Sequence, residues 1–132
     1  MPHNRWIALL LGLLLAFAAA AAASPAVLEP GSERLALTPH LSYGIDESGR
    51  ADASAMFARA GRGEFQPLPG DSAAFGFTQG AYWFHASLFN RNPAEQRWLL
   101  VLHYPLLDNV DIYLRYPDGR VEHMASGDTL PF

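Results

Sequence analysis

The chain has 132 residues, no cysteine and a formal net charge of −4. That length allows one domain with its own core. The missing cysteines exclude disulfide support and thiol chemistry, and a mildly acidic chain is a poor partner for nucleic acid, whose phosphates need clustered positive charge.

The first residues read as an export signal. Arg5 gives a short positive region, Ile7 to about Ala20 is continuously apolar, and Ala21-Ala22-Ala23 before Ser24 offers a small-residue cleavage site. An uncleaved anchor is the rival reading, because the apolar run sits near the lower edge of a spanning helix, about 17 residues. Either way the remainder leaves the cytoplasm. Basic residues that are all arginine, in an alanine-rich chain, fit a GC-rich bacterial genome. The periplasm, or the periplasmic face of the inner membrane, is the expected compartment.

Residues 24–37 read as a linker or lead-in, broken by Pro25, Pro30 and Gly31. A single folded domain is expected over 38–132. Thr38 to Ile45 predicts a first strand, ended by the turn cluster Asp46-Glu47-Ser48-Gly49. Asp52 to Ala60 predicts the one helix: Asp52 is a good N-cap, Ala53, Met56, Phe57 and Ala60 recur on one helical face, and Gly61 can take the left-handed end position. Phe65 to Pro69 reads as extended. Tyr82 to Phe89 predicts a strand with Tyr82, Phe84, Ala86 and Leu88 on a core side and Trp83, His85, Ser87 and Phe89 on the other. Trp98 to Tyr104 is nearly continuous in apolar residues and predicts a central strand. Val110 to Tyr116 alternates, Pro117-Asp118-Gly119-Arg120 is a hairpin turn signal, and Val121 to Ala125 returns.

These elements predict a mainly β fold: an antiparallel, jelly-roll-like β-sandwich with one short helix, expected to be C-terminally incomplete. No nucleophile elbow, phosphate loop or metal-ligand spacing accompanies them, so no enzyme, cofactor or metal is expected. Binding is the better reading. Trp83 and Tyr113 would supply rings for the apolar faces of a sugar-like ligand, and His85, Asp111 and Arg115 would supply hydrogen bonds, provided the two strands are neighbours in one sheet. Packing of Trp83 in the core and a solvated Asp111–Arg115 face is the plainer alternative. Tyr104-Pro105-Leu106-Leu107-Asp108 and Phe75-Gly76-Phe77-Thr78 read as structural: a sandwich plug with Asp108 bonding nearby amides, and a turn whose rings cover the core.

An ordered series of motifs resembles a known family. Leu37-Thr38, Tyr43, Phe65, Pro67-Leu68, Phe75-Gly76-Phe77-Thr78, Ala81-Tyr82-Trp83, Leu88, Asn90, Tyr104-Pro105-Leu106-Leu107-Asp108, Val110-Asp111, Tyr113 and Gly127-Asp128 with Leu130-Pro131-Phe132 are similar to the type-2 extracellular domain of the 7TM receptors with diverse intracellular signalling modules. The resemblance covers residues 37–132. It implies a periplasmic, jelly-roll sensor domain that binds a small molecule or carbohydrate-like ligand. In the family, membrane helices and an output module such as a diguanylate cyclase or histidine kinase follow. Membrane association is then expected through those helices or through an uncleaved signal anchor. A stand-alone secreted carbohydrate-binding or adaptor module is the alternative.

Overall fold

A computed structural model describes residues 22–71, 75–103 and 107–129. Most of the export segment, residues 104–106 of the Tyr-Pro-Leu-Leu-Asp motif and the last three residues lie outside them. The described chain is mainly β, with antiparallel ladders and one helix, in keeping with the sandwich class expected from the sequence. It divides into two compact units, residues up to Ala94 and residues from Glu95 onward.

In the first unit, strand β1 (Ala26–Leu28) pairs in parallel with β5 (Leu88–Asn90). The lead-in is therefore not an open linker. Ala26 and Leu28 are buried, Ala26 N–H donates to the Ser87 carbonyl at 2.8 Å, and Arg91 N–H donates to the Leu28 carbonyl at 2.9 Å. Pro25 and Pro30 flank the strand without interrupting it, since a proline costs a ladder bond only where its N–H would have been used.

Thr38–His40 forms a single 3-10 turn, so the first predicted strand starts later than its sequence suggests. Pro39 has no N–H to give to a ladder and fits the first turn of a helix. Strand β2 (Ser42–Asp46) then runs between β3 (Gln66–Pro67) and β4 (Ala81–His85), antiparallel to both. Helix α1 (Ala53–Gly61) begins as predicted: Ala55 N–H donates to the Asp52 carboxylate at 2.8 Å, and Met56 is buried. Its end differs. Gly61 stays helical, Arg62 is the C-cap, and the left-handed residue is Gly63 at φ 73°.

The predicted strand over Tyr82 to Phe89 breaks at Ala86-Ser87, and its halves join different ladders. Strand propensity measures fit to a pleated surface; it does not choose the neighbour.

In the second unit, β6 (Val110–Arg115) and β7 (Val121–Ser126) form a hairpin. The predicted central strand is absent: residues 98–103 are irregular, with Leu99, Leu100, Val101 and Leu102 exposed. A continuous apolar run becomes a strand only when a neighbour supplies hydrogen-bond partners, which periodicity cannot report.

Candidate ligand-binding site

The Pro117-Asp118-Gly119 turn sets the register of the hairpin. Gly119 N–H donates to the Tyr116 carbonyl and Tyr116 N–H to the Arg120 carbonyl, both at 2.9 Å, while the Asp118 carboxylate accepts from Arg120 N–H. Counting back along this register puts Tyr113 opposite His123, Asp111 opposite Ala125 and Arg115 opposite Val121. Residues two apart share a face, so Asp111, Tyr113, Arg115 and His123 stand on one side.

The side chains meet there. His123 Nε2 lies 2.7 Å from Asp111 Oδ1, and the imidazole stacks on the Tyr113 ring with centroids 4.5 Å apart and planes 7° from parallel. The side chains of Asp111 and His123 are each about half exposed. The result is a stacked ring pair edged by a carboxylate and an imidazole, within reach of water. Such a surface offers apolar ring area beside hydrogen-bonding groups.

A second cluster closes the hairpin tip. Tyr116 donates to Glu122 Oε2 at 3.0 Å, and the Arg120 guanidinium lies 4.1 Å from the Tyr116 ring centroid. The bond to Glu122 holds the Tyr116 phenol above its ordinary pKa, because ionisation would lose the donated proton.

Trp83 and His85 stand elsewhere, on β4, opposite Gly44 and Ser42 of β2. This side of the sheet is covered: Ser42 and Gly44 are buried, as is Phe65, whose ring meets His85 edge-on at 6.3 Å. Trp83 is half-buried, with its Nε1 out of contact with solvent. The opposite side carries Tyr82 and Phe84, expected as core. There Phe75 stacks on Tyr82 at 4.8 Å and lies 5.8 Å from Phe84 and 4.6 Å from Tyr43, yet Phe84 and Ile45 remain about 40% exposed. Phe77 of the same Phe-Gly-Phe-Thr motif is fully exposed, so only one of its two rings covers anything.

The structure thus brings Asp111 and Tyr113 together and adds His123. It sets Trp83 and His85 on another ladder; among the described residues no rung joins β4 to β6. His123 lies outside the set expected from the sequence, Trp83, His85, Asp111, Tyr113 and Arg115. The hairpin turn was the signal that could have placed it. Among the described residues no group of three or more metal-binding side chains occurs.

Asp108 is tied through its main chain to the segment after the hairpin. Its main-chain carbonyl accepts from Thr129 N–H and from Thr129 Oγ1, the latter at 2.8 Å, and the Leu107 carbonyl accepts from Asp128 N–H at 3.1 Å. Gly127, at φ 133°, is needed there, since a Cβ would collide with the Asp108 carbonyl.

Residues 38–132 match the family model described as 7TMR-DISM extracellular 2. No curated protein matches the chain.

Proposed function

Because the chain belongs to the 7TMR-DISM extracellular 2 family, the extracellular sensor region of 7TM receptors, we propose that it binds a carbohydrate-like ligand outside the cytoplasm. The site is the β6–β7 face bearing Asp111, Tyr113, Arg115 and His123. The observation that carries this reading is the stacked Tyr113–His123 pair with Asp111 at its edge, half open to solvent. A sugar ring lays its C–H face on aromatic surface, and a carboxylate and a guanidinium fix its hydroxyls. Ligand binding biases the domain toward one conformation, and the receptor's membrane helices carry that bias inward.

The test is a glycan array followed by titration calorimetry, wild type against Tyr113→Ala. Loss of one stacking surface is worth about 1 kcal/mol, roughly a fivefold weaker affinity. Unchanged affinity would remove the site. An array with no retained glycan would remove the ligand class.

A further inference from the structure

A two-stranded hairpin is tied at its closed end by the turn, while its open end has little to stop it splaying. In β6–β7 the last rung at the open end is Val110–Ser126, and Asp111–Ala125 comes next. Asp111, the carboxylate of the candidate site, thus stands one rung in from the end that can part. Tyr113 and Arg115 lie nearer the turn.

The chain beyond Ser126 folds back over this end. Gly127, at φ 133°, carries it across the start of β6, so close that a Cβ would lie 3.0 Å from Asn109 Cα. Asp128 N–H then donates to the Leu107 carbonyl at 3.1 Å, and Thr129 N–H to the Asp108 carbonyl at 3.3 Å. Any residue could make those main-chain bonds. The Thr129 side chain adds what its backbone cannot. Its hydroxyl lies 2.8 Å from the Asp108 carbonyl oxygen and 2.9 Å from Asn109 Oδ1. One hydroxyl proton serves two oxygens on consecutive residues. Those residues lead straight into β6, with Asn109 just before Val110.

We infer that Thr129 is a positioning residue of the candidate site. It acts through Asp111 rather than by touching a ligand. It pins the exit of β7 to the entry of β6, keeps the Val110–Ser126 rung closed, and so holds Asp111 at 2.7 Å from His123. The stacked Tyr113–His123 pair is then fixed from both ends, by the turn beyond Arg115 and by Thr129 behind Asp111. The functional meaning of this role rests on the β6–β7 face being the site; the clasp itself needs no ligand.

The test is amide hydrogen exchange and proton NMR of the whole exported chain without ligand, for wild type, Thr129→Val and Thr129→Ser. Valine keeps the shape of threonine and removes the hydroxyl; serine keeps the hydroxyl. In Thr129→Val the amides of Val110, Ile112, Met124 and Ser126 should exchange roughly two- to tenfold faster, the effect of one lost hydrogen bond. Leu114 and Glu122, beside the turn, should keep their wild-type rates, as should the β2–β4 ladder. The Tyr113 ring resonances, displaced by the stacked imidazole, should move toward those of an unstacked tyrosine. Thr129→Ser should bring both readings back to wild type. Unchanged exchange in Thr129→Val overturns the inference, as does a change that serine fails to reverse. A uniform rise along the hairpin and in β2–β4 also overturns it, since that marks a general loss of stability. With no ligand in the sample, failure here is separate from failure of the glycan titration.

Discussion

Gly44 occupies the middle of β2, where the Phe65 ring fills the space a side chain would need. A Cβ there would come within 2.6 Å of Phe65 Cε1 and 2.8 Å of Cδ1. Phe65 is 7% exposed and has little room to move. Gly44→Ala should therefore cost about 1–3 kcal/mol, as overpacking does, read as a lower urea midpoint with an unchanged slope. Asp46, two residues on, organises the following turn. Its Oδ1 accepts from the Ser48 hydroxyl at 2.6 Å and the Ser48 amide at 3.1 Å, and its Oδ2 from the Ala51 amide at 2.8 Å. The Ser48 hydroxyl bond, then the Ala51 amide, hold the carboxyl below its ordinary 3.8. A depressed carboxylate contributes stability above its unfolded-state pKa and loses it as pH falls through the folded-state value. Asp46→Asn should thus melt lower than wild type at pH 7, and the difference should shrink below pH 3.8. A gap that stays constant with pH would contradict this account.

Each element owes its boundaries to a different cause. The nine-residue α1 is too short to persist alone, so its N-cap carries weight. Asp52→Ala should cost about 1 kcal/mol by leaving the Ala55 N–H without its acceptor, with Asp52→Asn close to neutral; thermal melts of the pair separate the cap from the charge. Arg59 and Arg62 both pair with Glu64 just past the helix, and these partly exposed pairs add little. The β6–β7 hairpin is set by its turn, and that turn, through the register, brings His123 to Tyr113.

At the scale of the molecule, burial is uneven. In β2, Ser42, Gly44 and Asp46 are buried within a three-stranded ladder, whereas every described residue of β7 is exposed in a two-stranded one. Two strands alone are marginal in water, and exchange protection follows local stability. Amide hydrogen exchange should therefore be faster across β6–β7 than across β2–β4, with ligand slowing the hairpin; equal protection would contradict the difference in burial. The mainly β class, the capped helix, the hairpin and the family likeness were legible in the chain, because each rests on neighbours close in sequence: alternation, a capping carboxylate, a Pro-Asp-Gly turn. What the folded chain alone decided was partnership over distance. It joined Ala26–Leu28 to Leu88–Asn90, split the run after Tyr82 between two ladders, left residues 98–103 without one, and put Trp83 and Tyr113 on different ladders. The physical reason is that a strand's side-chain pattern encodes which way it faces, while its hydrogen bonds are identical backbone groups that carry no address until tertiary packing supplies the neighbour.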